Sequence, residues 1–191
     1  MKDRLKNISH TVLSDEWARL SRYEFDYQRR DGTWNHQNRE VYDRGNAVAV
    51  LPHDPARGTV LLLKQFRLPA FLNGDTAPLL EACAGVLDED DPEACARREA
   101  REELGYQLSD MAYVCKAYSS PGSVLERIWC FTARYSPEDK VSEGGGIADE
   151  GEDIEILEVA LDEAFAMIAS GDIIDAKTIL LLQHLKLSLI S

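Results

Sequence analysis

With 191 residues, 45% of them hydrophobic, the chain can bury a sizeable core, which argues against disorder and fits one domain of ordinary size or one domain with a small appendage. A formal charge of −13 argues against nucleic acid or an anionic membrane as the main partner. It would also repel a polyanionic small substrate, unless metal ions and a few placed Arg or Lys residues reverse the local field.

Met1-Lys2-Asp3-Arg4 leads into no apolar signal core, and no run is long enough to span a bilayer, so a cytoplasmic protein is expected. Residues 1–45 read as a separate antiparallel strand region and 46–191 as the main domain. Tyr23, Phe25 and Tyr27 alternate with polar residues, Asp31-Gly32 predicts a hairpin turn, and a second strand is expected from Thr33 to Tyr42. Two or three strands alone hide one face poorly, so they must pack on the rest of the chain or on a second copy. Ala47 to Leu51 and Thr59 to Lys64 predict paired strands around a turn from Pro52 to Gly58. Asn73-Gly74-Asp75 marks a loop, and Leu79 to Ala84 a strand running into Gly85.

A helix should then begin at Asp91-Pro92, where Asp caps free N–H groups and Pro suits the first turn, and stop at Gly105. Beyond it, Tyr113 to Tyr118 and Leu125 to Tyr135 read as strands separated by Ser119-Ser120-Pro121-Gly122. Residues 136–152 form a polar loop with Gly144-Gly145-Gly146, and Ile154 to Val159 an alternating strand. Two helices close the chain, from Leu161 to Ser170 with Gly171 as its stop, and from Asp175 onward. Cys83, Cys95, Cys115 and Cys130 are scattered singly with no Cys-x-x-Cys pair, so reduced thiols are expected. Mixed strands and three helices without regular βαβ alternation point to a layered α+β domain.

In the first of those helices Glu99, Glu102 and Glu103 stand at i, i+3 and i+4, on one face. Cys95, Ala96, Ala100 and Leu104 supply residues that pack elsewhere. Each like-charge pair costs roughly a few tenths of a kcal/mol even when solvated. A hard divalent cation, Mg²⁺ or Mn²⁺, removes that penalty and suits oxygen ligands. Helical charge alone favours an ordinary solvated acidic face flanked by Arg97, Arg98 and Arg101.

The order of residues turns the argument. Gly85, a short acidic loop, then Arg98-Glu99-Ala100-x-Glu102-Glu103-x-Gly105-Tyr106 resembles the Nudix box of Nudix hydrolases, over residues 85–106. The spacer is one residue shorter than the family pattern, with Asp90 or Asp91 in place of its Glu. The likeness extends over nearly the whole chain and implies an α/β/α sandwich on a mixed sheet, preceded by a small antiparallel strand domain. It further implies metal ligation by Glu99, Glu103 and the carbonyl of Ala84, with Glu102 as a further ligand or a water-positioning group. Arg98 is expected to hold carboxylates in place by bidentate pairing.

Asp149-Glu150-Gly151-Glu152-Asp153 would by composition be a solubilising loop. In the GDP-mannose and ADP-ribose pyrophosphatase branch of the family a loop at this place carries a general base and a metal ligand. The resemblance puts Glu150 in the first role and Glu152 in the second. Asn38-Arg39-Glu40, Gln65-Phe66-Arg67, Ser120-Pro121-Gly122 and Ala176-Lys177-Thr178 look like the same branch. They imply substrate contacts from Trp17, Asn38, Arg39, Glu40, Arg67, Ala84, Gly85, Val86, Glu126 and Lys177, some from a partner subunit of a homodimer. Asn38 stands where relatives often have Lys. Arg39, Arg44 and Arg67 have planar forks fitted to phosphate oxygens, and Trp17 and Tyr42 are stacking surfaces for a base.

The expected activity is Mg²⁺-dependent hydrolysis of nucleoside diphosphate sugars, GDP-mannose giving GMP and mannose 1-phosphate. Cleavage of ADP-ribose to AMP and ribose 5-phosphate is the alternative within the family. A Nudix-like ligand-sensing module without turnover is a remoter one, against which the intact Glu99, Glu102 and Glu103 argue.

Overall fold

The computed structural model describes residues 1–88, 91–147, 149 and 151–189. Asp90 and Glu150, both expected at the site, lie outside them. The chain forms two compact units, 1–46 with 118–127, and 47–117 with 128–191.

The first unit is a three-stranded antiparallel sheet, β1 (Leu5–Asp15), β2 (Arg19–Gln28) and β3 (Trp34–Asp43), in that order. The expected hairpin turn forms: the Asp31 carboxylate accepts from the Thr33 amide at 2.9 Å and from its hydroxyl at 2.7 Å, with Gly32 at φ 87°. β1 has no period-two signature, because Ile8, Val12 and Leu13 do not alternate and its pairing with β2 slips between Lys6 and Ser9 and again between Val12 and Ser14. Asn7, at φ 54°, marks the first slip. From downstream in the chain, Val124 bridges to Tyr42, whose carbonyl accepts the Leu125 amide at 2.8 Å.

The second unit is built on a seven-stranded mixed sheet. Its strands are β4 (Asn46–Asp54), β5 (Thr59–Gln65), β6 (Leu79–Glu81), β7 (Cys83–Leu87), β8 (Ser109–Tyr118), β9 (Arg127–Arg134) and β10 (Ile154–Ala160). Their order is β10-β5-β4-β9-β8, with β6 on β5 and β7 on β4; β4 runs parallel to β9 and β5 antiparallel to β10. Helices α1 (Leu68–Leu72), α2 (Pro92–Glu99), α3 (Leu161–Ser170) and α4 (Ala176–Ser188) complete it. The short α1 has no apolar periodicity to betray it.

Strand parity divides the core. Ala47, Ala49, Leu51, Val60 and Leu62 pack with Leu161, Ala164, Leu181, Leu182 and Leu185 of α3 and α4. Their sequence neighbours Val48, Val50, Leu61 and Leu63 pack on the opposite side with Cys95 and Ala96 of α2, then Ala100 and Leu104. Alternate residues of a buried strand face opposite layers, so two apolar runs serve both sides of an α/β/α sandwich.

One expectation is corrected here. The strand from Leu79 to Ala84 is interrupted at Ala82, whose amide donates to the Thr178 hydroxyl of α4 at 2.7 Å instead of to a neighbouring strand. β6 and β7 therefore pair with different strands, and Gly85 lies within β7 instead of after it.

Candidate active site

The acidic helix starts as expected. Asp91 caps it, accepting from the Ala94 amide at 3.1 Å, and Pro92 occupies its first turn. It does not remain an α-helix. From Ala100 to Leu104 it widens into a π-helical turn that closes at Gly105, φ 76°. Glu99 ends the α-helix, while Glu102 and Glu103 stand in the π turn, whose spacing differs from that of an α-helix.

The three glutamates accordingly differ. Glu103 is 2% exposed and accepts the Ala84 amide at 3.1 Å, which ties helix to strand β7. Glu99 lies flat against Gly85, where a Cβ would fall 2.0 Å from its carboxyl carbon. Glycine is required there by contact, not by backbone angle. Glu102 turns outward, beside a cavity of about 400 Å³ lined also by Arg97, Arg98, Arg101, Gln107 and Leu108. The Arg98 Nη1 bridges Glu99 at 2.9 Å and Glu102 at 3.1 Å.

The glycine-rich loop is a structured part of this site. The amides of Gly145 and Gly146 donate to the carbonyls of Glu103 at 2.8 Å and Glu102 at 3.3 Å. A Cβ on Gly144 would lie 2.5 Å from the Glu103 carbonyl oxygen, and one on Gly146 would lie 2.4 Å from the Glu152 carboxylate. Glu152 in turn accepts the Ile147 amide at 2.8 Å. The sequence signal was available as three consecutive glycines, which read as slack and act as a close-fitting clasp.

Burial pushes the Glu99 carboxyl up to about 7; Arg98 opposes this, and the charges of Glu102 and Glu152 reinforce it. Burial likewise pushes Glu103 up to about 7, against the hydrogen bonds from Cys83 and Ala84 and with the repulsion of Glu99 and Glu152. Among the described residues no three His, Cys, Asp or Glu side chains form a ready-made ligand set. The donor chemistry nonetheless fits a hard divalent cation. Three mutually repelling carboxylates, Glu99, Glu103 and Glu152, crowd a half-buried place beside the Ala84–Gly85 backbone, and a cation relieves both desolvation and repulsion.

A pH dependence follows. Both carboxyls hold protons in the folded, metal-free protein at pH values where the unfolded chain, titrating near 4.5, has lost them. Their contribution to stability therefore falls as pH rises from 4.5 to 7. Thermal unfolding in EDTA should show this loss, larger in the wild type than in Glu103→Gln, and added Mg²⁺ should raise Tm more above pH 7 than below pH 5. A magnesium effect that is equal at both ends contradicts the assignment.

The second unit also brings together Arg67 and Lys177, through a residue the sequence reading passed over. Glu81, 3% exposed, takes the Arg67 guanidinium at 2.7 and 3.3 Å and the Lys177 ammonium. Lys177 also pairs with Asp175 at 3.0 Å, and Asp175 caps α4 through the Thr178 amide at 3.0 Å. Burial would raise the Glu81 carboxyl, but Lys177 and Arg67 more than reverse it and hold it below the usual range. A lone Glu inside the apolar run from Leu79 to Val86 was the available signal, since buried carboxylates are almost always paired. Val86 is 36% exposed, and its carbonyl accepts from the Cys95 thiol.

The remaining expected contacts belong to the first unit. Glu126 is buried, accepts the Ser119 hydroxyl at 2.7 Å and pairs with Arg44 at 3.7 Å; the Arg44 guanidinium lies over the Trp17 ring, 5.5 Å from its centre. Trp17 is 78% exposed, an open flat surface. Asn38, Arg39 and Glu40 sit on β3. Arg39 donates to the Asn38 carbonyl and the Gln37 side chain at 2.6 and 3.0 Å, and Glu40 accepts from Arg22 at 3.3 Å.

Comparison with known proteins agrees with this architecture. A family model described as a NUDIX domain matches residues 43–182, and one described as the GDP-mannose pyrophosphatase NudK N-terminal domain matches residues 4–42. The chain belongs to the Nudix hydrolase family, and its class is that of a pyrophosphatase enzyme. It is 48% identical over 185 residues to the GDP-mannose pyrophosphatase of Yersinia enterocolitica, covering 96% of each chain. It is 47% identical over 178 residues to that of Pectobacterium atrosepticum, covering 93% of this chain and 91% of the relative. A solved structure described as an ADP compounds hydrolase shares the fold, with TM-score 0.72 and 17% identity over 96% of this chain and 93% of that one. No helix among the described residues is long and apolar enough to cross a membrane. Nudix hydrolases in general use a divalent metal.

Proposed function

We propose that this enzyme hydrolyses the diphosphate of nucleoside diphosphate sugars, and GDP-mannose in particular, to GMP and mannose 1-phosphate. The observation that carries the proposal is the half-buried carboxylate cluster of Glu99, Glu103 and Glu152, with Glu103 and Glu99 against the Ala84–Gly85 backbone, in a chain 46–48% identical to GDP-mannose pyrophosphatases.

In this reading Glu99, Glu103, Glu152 and the Ala84 carbonyl hold Mg²⁺, with Mn²⁺ as a substitute. The cation, when bound, neutralises phosphoryl oxygens and polarises the attacking water. Arg98 bridges Glu99 and Glu102 and orients both. Glu102, at the open side, orders water. Glu150 removes the proton from the attacking water as general base. Arg67 takes diphosphate oxygens. Trp17, with Arg44 and Glu126 behind it, offers a stacking surface for the base, and Asn38, Arg39 and Glu40 complete the contacts.

The enzyme acts as a homodimer in this proposal. The exposed strand β1, with Ile8 60% and Val12 44% accessible, supports association of a second copy. Four free cysteines support a reducing cytoplasm.

The test is a substrate panel of GDP-mannose, ADP-ribose, ADP-glucose and NADH, with Mg²⁺ or EDTA and phosphate read after phosphatase treatment. GDP-mannose should give the highest kcat/KM, and EDTA should abolish it. ADP-ribose leading the panel would favour the alternative, and no turnover of any member would end the proposal.

A further inference from the structure

We propose that Glu81 is a positioning residue for diphosphate recognition, acting from behind Arg67 to aim the guanidinium at the substrate. The inference rests on the function proposed above and extends it to a residue that touches no substrate.

Three observations converge on Glu81. Its side chain is 5% exposed, so it is sealed from any ligand, while that of Arg67 is 41% exposed. Arg67 spends Nε and Nη2 on Glu81, and among the described residues Nη1 makes no hydrogen bond. A planar guanidinium held at two nitrogens by one carboxylate has its third nitrogen aimed, with little rotamer freedom left to lose on binding. Arg67 lies near the carboxylate cluster, within electrostatic reach of Glu103.

Glu81 also decides which cation is available. Lys177, 13% exposed, is held between Glu81 and Asp175, so the two carboxylates balance Lys177 and Arg67 in charge. Arg67 is the more exposed cation of the pair. On this arrangement the phosphate grip assigned to both residues falls on Arg67, and Lys177 acts with Asp175 to fix Glu81. The anchor is rigid, because Asp175 caps α4 and the Thr178 hydroxyl accepts from Ala82, the residue after Glu81.

The experiment is a double-mutant cycle of Glu81→Gln and Arg67→Ala, read by steady-state kinetics on the best panel substrate with Tm recorded for every variant. Glu81→Gln should raise KM roughly tenfold to hundredfold with kcat little changed, the size expected for losing a charge-assisted hydrogen-bond pair. In the Arg67→Ala background the same substitution should change KM by less than about twofold. Should Glu81→Gln fail to fold, Glu81→Asp, which keeps the charge and withdraws it by one methylene, should raise KM in the native background only. Equal factors in both backgrounds, or a fall in Tm with KM unmoved, would overturn the proposal and leave Glu81 a purely structural carboxylate. Calorimetric titration of inorganic pyrophosphate in EDTA repeats the cycle without turnover. It separates failure of this inference (Glu81→Gln binding as well as wild type) from failure of the activity itself.

Discussion

Replacing Glu103 by Gln is expected to lower kcat roughly 10²–10⁴-fold, as loss of a single catalytic group does elsewhere. The same change should leave the metal-free fold at least as stable as wild type. Glu103 is 2% exposed and its carboxyl, pushed up to about 7, resists ionisation in the folded chain. Gln keeps the oxygen that accepts the Ala84 amide and removes only the charge. Activity and apo stability thus move independently, and the stabilisation by Mg²⁺ should shrink with the activity. Initial rates with Mg²⁺, beside unfolding curves in EDTA at pH 8, read both at once. A Gln variant with normal turnover would remove Glu103 from the ligand set.

The second large effect should come from adding one methyl group. Gly85→Ala places a Cβ 2.0 Å from the Glu99 carboxyl carbon and 2.3 Å from each of its oxygens, so the carboxylate must leave. Gly85 lies in a strand and has no positive φ, so the backbone accepts Ala. What moves is a flexible side-chain end, and the fold should survive with Tm shifted little. Displacing a reacting centre's ligand by about an ångström costs on the order of 10²-fold in rate. Gly144→Ala is the contrasting case. Its Cβ would meet the Glu103 carbonyl oxygen at 2.5 Å at φ 66°, so backbone must shift and stability should drop as well. Comparison of kcat and Tm for the two variants distinguishes a lost carboxylate position from a loosened loop. If Gly85→Ala retained full activity, Glu99 could not be the ligand assigned to it.

The layered fold was legible because its signals are local or periodic. Asp91, Pro92, Gly105, Gly171 and Asp175 end or begin helices where capping chemistry demands, and the strands at Ala47 and Thr59 announce themselves as apolar runs. The Nudix box singled out Glu99 and Glu103, which the structure sets against Gly85 and Ala84. What stayed hidden was set by contacts far apart in sequence. The π turn after Glu99, the break at Ala82 imposed by Thr178, and the pairing of Glu81 with Arg67 and Lys177 all depend on neighbours that residue spacing cannot name. β1 escaped notice because its slips destroy the alternation by which strands are recognised.

The clasp of Gly145 and Gly146 on the carbonyls of Glu103 and Glu102 carries a consequence for the order of assembly. The acidic helix ends in carbonyl groups that are completed only when chain made much later arrives. A ribosome-bound fragment ending before residue 140 would thus present this helix with a frayed last turn. Closure of so distant a contact is a slow event, since chain entropy must be lost before the hydrogen bonds form. The acidic end of the helix is in that sense finished last, and the Gly145 and Gly146 amide protons should be among the latest to gain protection during refolding.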